Sequence, residues 1–420
     1  MIIPSQLTPI PRLIAHAGQM LLVAAVLLTG CKKSESPTEP VSIPPWDTGQ
    51  SAEGVLGQSD LVSTGVKSIG QSSTNKPWGL AISTDGTLFV VDQLLADRVV
   101  RFNSAPTKAN GANADGVLGH ANFTDSLRNY SGASTPNAQG FETPTSVALD
   151  AAGNLYVVDQ NNDRVLRFNA AASKANGASA DAVFGQQDFV TEGFDVTAST
   201  LFGPEAVAVD PSGNLYIADG FNNRVVRYNN AASKGNGADA DGVLGQASFT
   251  VNTKGTTAAV MDHPSCVAVD KSGNLYVGER GNHRVLVFLN AASKANGASA
   301  DIVLGQSTFT DGTAPAGATA STINNPYGLA VDDNYNLYVA DGGYNRVLIF
   351  YNAPSKSNGA DGDAVLGKKD FTSSATTNAA ADNIGQPYGI AVHSASGMLF
   401  VSGYSNSRIL RFKAKSDLHP

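Results

Sequence analysis

A short segment ending in Arg-Val or Arg-Ile recurs along the whole chain, and its regular spacing constrains the fold more than any other feature. The six arginines are separated by 60 to 66 residues: Arg98, Arg164, Arg224, Arg284, Arg346 and Arg408. The sequences that flank these arginines are similar to one another. A fixed period of this size indicates stacked supersecondary units, none of which can bury its apolar face alone. The chain therefore predicts six repeats of one structural unit.

Each repeat has the pattern of four short strands, as the second one illustrates. Its first strand, Val147 to Leu149, is a continuous apolar run, which is typical of a buried strand. A turn containing Gly and Asn leads to the second strand, Leu155 to Val158, and the third, Arg164 to Phe168, alternates its faces. A longer loop precedes the fourth strand, Val183 to Gln186. No long window has a helical period, so we expect an all-β protein.

The two ends of the chain predict that the repeats close into a ring. The sixth repeat stops at Phe412, after its third strand, and the missing fourth-strand text occurs at Gly54 to Gln58, before the first complete repeat. An N-terminal strand that completes the last sheet removes the exposed edges of an open array. We therefore predict a six-bladed β-propeller of four-stranded blades.

The N-terminal region has the composition of a targeting segment followed by a tether. Arg12 precedes the apolar run from Met20 to Leu28, which is short for a membrane span and ends in small residues before Cys31. Residues 32–50 are polar and rich in Pro, Ser and Lys, so we expect a flexible tether. The predicted organisation is a signal peptide over 1–31, the tether over 32–50 and the propeller over 51–420.

The segment from Leu28 to Cys31 resembles the lipobox of bacterial lipoproteins. The resemblance implies that Cys31 is the lipidated first residue of the mature protein, which would anchor the propeller at the cell envelope. Lys32 follows the cysteine, whereas enterobacterial lipoproteins retained at the inner membrane carry aspartate there, so we expect the outer membrane or the cell surface. An ordinary secretory signal with a chance cysteine is the alternative.

Net charge and cysteine content limit the kinds of partner and the disulfides that we expect for this chain. The formal net charge is −8, which argues against a nucleic-acid partner, because nucleic-acid binding needs a basic stripe that replaces counterions. The other cysteine, Cys266, stands in a first strand where the other repeats have Gly, Ala or Ser, so we predict a small core residue and no disulfide. We expect a monomer whose partners are proteins, peptides or glycans of the envelope.

The sequence of each repeat is similar to that of the NHL-repeat family. The matching elements are Pro-x-Gly-Leu-Ala-Val-Asp at Pro326 to Asp332, Gly-Asn-Leu-Tyr at Gly213 to Tyr216, and Gly-Asn-His-Arg-Val at Gly281 to Val285. The resemblance covers all six repeats and implies a propeller. Family members include RNA-binding proteins, extracellular sensor domains of bacterial kinases and a metal-dependent peptide-amidating lyase, so the fold does not decide the function.

Polar features that recur in nearly every repeat are interpreted as structural. Five carboxylates pair in register with the arginines, and the sixth repeat has Gly403 instead: Asp92, Asp159, Asp219, Glu279 and Asp341. A catalytic group is needed only once, so these pairs are interpreted as ties between turns. The Asn-Gly-Ala-x-Ala-Asp loops, such as Asn176 to Asp181, lack the dense carboxylate spacing of calcium sites and predict turns.

Candidate catalytic and metal-binding residues are few. The histidines lack the spacing of a zinc motif, and only His263 lies near the predicted ring axis. No cofactor is predicted, and an axial calcium or zinc ion has no support in the pattern. Glu205 follows Pro204 where other repeats have aromatic or small polar residues, and it is either a catalytic acid or a solvated loop glutamate. We expect a protein without enzymatic activity; a hydrolase or lyase with an axial divalent metal is the alternative.

Aromatic residues converge in one sector of the predicted ring. At the position after the proline, the fifth, sixth and first repeats carry Tyr327, Tyr388 and Trp78, and these repeats are neighbours once the ring closes. The turns between second and third strands add Tyr344 and Tyr404, with Leu94 and Leu95 in the first repeat. The rings either pack under the long connecting loops or form a shallow platform for sugar rings or an extended peptide.

These observations lead to one functional hypothesis. We predict a non-catalytic binding or scaffold module, anchored at the envelope, that recognises a glycan, peptide or protein on one ring face. Its predicted ligand-binding residues are Trp78, Tyr327, Tyr388, Tyr344 and Tyr404.

Overall fold

The structure is a computed structural model that describes residues 45–375 and 379–415. The predicted signal peptide, Cys31 and the tether up to residue 44 lie outside these residues. Within the described ranges, no helix is both long enough and apolar enough to cross a membrane.

Six antiparallel sheets of four strands each form the blades, numbered here in chain order. Blade 1 contains β2 (Pro77–Ile82), β3 (Leu88–Asp92), β4 (Arg98–Phe102) and β5 (Gly116–Leu118); blade 2 contains β6 (Pro144–Leu149), β7 (Leu155–Asp159), β8 (Arg164–Phe168) and β9 (Ala182–Phe184); blade 3 contains β10 (Pro204–Val209), β11 (Leu215–Asp219), β12 (Arg224–Tyr228) and β13 (Gly242–Leu244). Blade 4 contains β14 (Pro264–Val269), β15 (Leu275–Glu279), β16 (Arg284–Phe288) and β17 (Ile302–Leu304); blade 5 contains β18 (Pro326–Val331), β19 (Leu337–Asp341), β20 (Arg346–Phe350) and β21 (Ala364–Leu366); blade 6 contains β22 (Pro387–His393), β23 (Met398–Gly403), β24 (Arg408–Lys413) and β1 (Gly54–Leu56). Three-residue 3-10 turns and one four-residue helical segment, Asn129–Gly132, lie between strands. The predicted all-β, six-bladed propeller is confirmed.

The second and third strands of each blade are buried on both faces. In blade 2, every residue of β7 and of β8 is buried, because the neighbouring blades pack against both sides of the sheet. Such strands need apolar or β-branched residues at consecutive positions, which is the pattern that the repeats carry. Cys266 in β14 is 2% exposed and belongs to this core, as predicted.

The N-terminal strand completes the last blade. β1 pairs with β24 in antiparallel register, with Val55 opposite Leu410. At the inner end of the same blade, the Ser402 hydroxyl donates a hydrogen bond to the carbonyl of Trp78 in blade 1 at 2.8 Å. The added strand therefore completes blade 6, and a hydrogen bond from β23 to β2 joins blade 6 to blade 1.

The propeller begins earlier than predicted, because residues 45–50 pack on it rather than belonging to a flexible tether. Trp46 is 3% exposed, and its indole N–H donates to the hydroxyl of Tyr338 in β19 at 2.8 Å. The N–H of Gly49 donates to the carbonyl of Val365 at 2.9 Å. Residues 48–56 align with residues 110–118, so the N-terminal segment supplies the loop before the sixth blade's last strand as well as the strand itself.

The arginines that define the repeat are fully buried and tie each blade together. Arg164 Nε donates to Asp159 Oδ2 at 2.7 Å, and its remaining nitrogens donate to loop carbonyls, including that of Phe189 at 2.6 Å. The other oxygen of Asp159 accepts the backbone N–H of Glu142, on the segment that leads into β6, at 2.6 Å. A buried ion pair of this kind is structural because removing one partner leaves an uncompensated charge. The structural interpretation of these pairs is confirmed.

The Asn-Gly loops are turns whose asparagine side chains hydrogen-bond to the preceding blade. Asn176 Oδ1 accepts the N–H of Val117, in the last strand of the preceding blade, at 3.0 Å. The carboxylate at the end of the same loop, Asp181, forms an ion pair with Lys174 at 2.8 Å. The same bond to a preceding strand recurs at Asn110, Asn236, Asn296 and Asn358. This agrees with the predicted turns.

Candidate functional site

Three layers of side chains from the six first strands surround the ring axis. The rim layer, one residue after each proline, contains Trp78, Thr145, Glu205, Ser265, Tyr327 and Tyr388. The second layer contains only small residues: Gly79, Ser146, Ala206, Cys266, Gly328 and Gly389. The third layer is aliphatic: Leu80, Val147, Val207, Val267, Leu329 and Ile390.

The aliphatic layer nearly closes the axis. Each of its six side chains is buried, and the space left between the layers is about 50 Å³. A cavity of this size holds a few water molecules and nothing larger. A ligand larger than this would therefore contact the rim layer and the loops around it.

Glycines beneath the aromatic side chains allow the first strands to approach closely. A Cβ atom on Gly328 would lie 1.9 Å from the carbonyl oxygen of Tyr388, and one on Gly389 would lie 2.1 Å from that of Trp78. Glycine fills the second layer only in blades 1, 5 and 6, which are the blades with an aromatic residue at the rim. Tight strand contact and rim aromatics thus occur together.

Four aromatic side chains form one cluster at the rim. Tyr388 stacks on Tyr327 with ring centroids 4.1 Å apart, and on Tyr404 with centroids 4.4 Å apart. We call these three rings the tyrosine stack. Trp78 meets the stack edge-on, at 4.4 Å from the ring of Tyr388 and 5.6 Å from that of Tyr404. The predicted convergence of these four residues is observed.

The members of the cluster differ in exposure. Tyr388 is buried, whereas Trp78, Tyr327 and Tyr404 are half-buried. Burial raises the pKa of the Tyr388 and Tyr404 phenols, and the nearby Tyr327 raises both further. The Tyr388 and Tyr404 phenols therefore stay protonated at neutral pH, and that of Tyr388 hydrogen-bonds to Tyr327.

Tyr344 has a different environment from the other predicted site residues. Its side chain is buried, its hydroxyl donates to the carbonyl of Pro315 at 2.9 Å, and its ring packs over the guanidinium of Arg346. For this residue, packing under a connecting loop is the interpretation that the structure supports. Leu94 and Leu95 are exposed on the turn of blade 1.

Glu205 is a buried carboxylate and not the solvated loop residue of one sequence interpretation. It is 5% exposed, and its Oε1 lies 2.5 Å from His263 Nε2 and 2.8 Å from Arg280 Nη2. His263 Nε2 and Arg280 Nη2 are themselves 2.5 Å apart. Because one ring nitrogen cannot donate and accept along both contacts, we assign the proton on Nε2 to the bond with Glu205, and Arg280 donates to the same oxygen.

Arg280 was not identified from the sequence as a site residue. It directly follows β15, at the position that Tyr404 occupies after β23 in blade 6. Glu205 at a rim position, His263 just before a strand proline and Arg280 on a turn meet here, so aligning the repeats in register reveals the unusual residue at each of these positions. His263 precedes Pro264 with φ of 54°, a left-handed conformation that the N–H bond to Asn223 Oδ1 at 2.9 Å supports.

Two cations flank the tyrosine stack. The guanidinium carbon of Arg280 lies 5.4 Å from the ring centroid of Tyr327, and Lys76 Nζ lies 4.6 Å from that of Tyr404. Both distances fall within the range of cation–π attraction. The cluster is therefore an aromatic surface with a positive charge near each end.

The hydroxyl groups of Thr145 and Ser265 in the rim layer already donate hydrogen bonds to backbone carbonyls. Thr145 donates to the carbonyl of Glu205 at 2.8 Å, and Ser265 donates to that of Pro326 at 2.7 Å. These bonds join neighbouring first strands. Across the described parts of the chain, no group of three or more His, Cys, Asp or Glu side chains is placed to hold a metal ion.

Comparison with known proteins gives one family and a small set of similar proteins. The model of the Teneurin NHL domain family matches residues 49–293, which is more than half of the chain. Teneurin-1 of Mus musculus is 27% identical over 225 residues, which are 51% of this chain and 8% of the teneurin. The match thus spans only a small part of that relative's length.

Two solved structures are also similar. A streptogramin B lyase has 11% identity and a TM-score of 0.45 over 84% of this chain and 96% of its own. Virginiamycin B lyase from Staphylococcus aureus has 10% identity and a TM-score of 0.42 over 80% of this chain and 94% of its own.

Proposed function

The chain belongs to the Teneurin NHL domain family, and from that premise we propose that it is a non-catalytic binding module whose ligand contacts the rim cluster of Trp78, Tyr327, Tyr388 and Tyr404. The observation that carries this proposal is the cluster itself. Rigid aromatic side chains provide contact area at little entropic cost, and they dominate the energetics of many interfaces. Because the axis beneath is nearly closed, the partner would bind across the rim.

The arrangement of the rings favours a peptide or protein segment over a sugar. A sugar ring binds by lying flat on an exposed aromatic face, but the three tyrosines present their faces to one another. What remains accessible is ring edges, phenol hydroxyls and the two cations. These groups suit the backbone carbonyls and mixed side chains of an extended peptide.

We also propose that Cys31 is a lipid anchor and that the module works as a monomer at the bacterial outer membrane or cell surface. The support is the lipobox-like segment before Cys31 and the polar stretch that follows it. A diacylated cysteine supplies two buried chains, which is enough for stable anchoring.

Alanine variants of the cluster test the proposed site. Arrays of random-sequence peptides and of envelope glycans would first supply a bound probe for the wild-type protein. Trp78→Ala should then weaken binding of that probe by tenfold or more, as hot-spot truncations do. Tyr335→Ala is the matched control, because Tyr335 is an aromatic residue at the β18–β19 turn, at the opposite end of the strand from Tyr327.

Two results would contradict this proposal. One is unchanged probe binding by a folded Trp78→Ala variant, which would place the site elsewhere. The other is a loss of several kcal/mol in the free energy of unfolding for both Trp78→Ala and Tyr388→Ala, together with normal binding per folded molecule, since core packing alone predicts that outcome.

A hydrolase or lyase with an axial divalent metal is the second candidate, and the contact between buried Glu205 and half-buried His263 is the observation that favours it. These two side chains are a carboxylate and an imidazole, which are common metal ligands and acid–base groups. Arg280 occupies a third side of the pair, where its charge opposes a cation. Elemental analysis of purified protein never exposed to chelator distinguishes the candidates: stoichiometric zinc or calcium would favour the enzyme.

A further inference from the structure

The rim cluster carries positive charge on a protein that is acidic as a whole. Aspartate and glutamate outnumber lysine and arginine, 36 to 28. At the cluster, however, Arg280 and Lys76 lie at opposite ends of the tyrosine stack. The one carboxylate in the rim layer, Glu205, is buried and already accepts from His263 and Arg280. A ligand at the stack would therefore meet the cations and not the carboxylate.

Among the residues that the structure describes, neither cation has all of its donors in hydrogen bonds. Arg280 donates one nitrogen, Nη2, to Glu205, and its side chain is 27% exposed, so part of it is accessible to a ligand. Lys76 Nζ lies over the ring face of Tyr404, which accepts no conventional hydrogen bond. Glu205 holds the Arg280 side chain against Tyr327, which makes Glu205 a positioning residue for this charge.

The hydrogen-bonding character of the stack adds to the charge. The phenols of Tyr388 and Tyr404 stay protonated at neutral pH, so each can donate a hydrogen bond. A guanidinium, an ammonium and a row of phenols all favour acceptor groups, and a carboxylate is the strongest acceptor that a peptide side chain offers. Neutral or basic peptides would leave these donors unpaired or place like charges together.

We infer that the partner segment is acidic: an extended peptide whose Asp or Glu side chains contact Arg280 and Lys76 while its other side chains cover the tyrosine stack. This inference rests on the proposed function and specifies the partner's chemistry. The charges at the two ends of the stack would set the orientation and selectivity of the peptide, and the rings would supply contact area.

An array of random-sequence peptides, probed with the folded full-length protein in 150 mM salt, tests the inference. Peptides bound by the wild-type protein should be enriched in Asp and Glu. For a selected peptide, Lys76→Gln and Arg280→Gln should each weaken binding about two- to fivefold, the order expected for a partly exposed charge pair. Lys174→Gln is the control, since it removes the same charge from a lysine paired with Asp181 in a loop between blades.

The possible outcomes separate this inference from the proposed function. Enrichment of acidic residues that disappears in Lys76→Gln and survives in Lys174→Gln supports it. Peptides without acidic enrichment that still depend on Trp78 would overturn it and leave the binding site intact. Selective binding of envelope glycans in place of peptides would also overturn it. Because Arg280→Gln leaves Glu205 with one partner fewer, Lys76→Gln serves as the variant that cannot fail through that buried carboxylate.

Discussion

A half-buried carboxyl group between blades 1 and 2 makes the stability of the propeller depend on pH. Asp97 Oδ1 accepts the backbone N–H of Thr143 at 3.1 Å. Burial raises the pKa of Asp97 from 3.8 to about 7; the Thr143 bond opposes that shift, and the charges of Asp159 and Glu142 add to it. The carboxyl is therefore more easily ionised in the unfolded chain than in the folded one.

The sign of the effect follows from the two pKa values. Between about pH 4 and pH 7 the folded state holds a proton that the unfolded state has lost, so stability falls as pH rises through this window. Three units at about 1.4 kcal/mol each set an upper limit of about 4 kcal/mol. Because Asp97 is half-buried and screened by water, we expect about 2 kcal/mol.

The substitution Asp97→Asn should remove this penalty. Asn223 occupies the same position in blade 3 and accepts the N–H of His263 at 2.9 Å, so an amide can make the bond without the charge. Urea unfolding should show Asp97→Asn to be more stable than wild type by about 2 kcal/mol at pH 8 and equal to it at pH 4. Asp333→Asn, at an exposed turn, is the charge-matched control. An equal gain at both pH values, or a loss at pH 8, would refute the reasoning.

Three further outcomes are expected. Deleting residues 45–56 should strongly destabilise or aggregate the protein, because it exposes the edge of β24, whereas deleting residues 34–43 should leave the melting temperature nearly unchanged; equal melting temperatures would count against closure by the N-terminal segment. Gly328→Ala should cost about 1–3 kcal/mol, measured by denaturant unfolding, since its Cβ would overlap the Tyr388 carbonyl; Gly235→Ala, which has open space, should be near neutral, and similar values for both would contradict the close approach of the strands. Cys31→Ser should move the protein from the membrane fraction to the soluble fraction, and retention in the membrane would mean that the lipid anchor is wrong.

Much of the fold could be predicted from the sequence because the repeats place equivalent residues at equivalent positions. The spacing of the arginines indicates the number of blades, and the apolar runs around them indicate strands buried on both sides. The convergence of Trp78, Tyr327 and Tyr388 follows from ring order alone, since blades 5, 6 and 1 become neighbours when β1 joins β24. These features could be predicted because they depend only on the local sequence of each repeat and on the order of the blades around the ring.

The tertiary structure decided what depends on contacts between distant residues. The text around Glu205 does not show whether its side chain meets water or a cation; the approach of His263 and Arg280, 58 and 75 residues away, buries it. Tyr344 and Tyr404 lie on equivalent turns, two and four residues before the repeat arginine, and only the contact with Pro315 shows that Tyr344 packs under a loop. The true start of the propeller likewise depends on Trp46 reaching Tyr338, 292 residues away. Periodicity specifies which backbone positions become neighbours, but side-chain burial and pairing are properties of the particular residues that then meet.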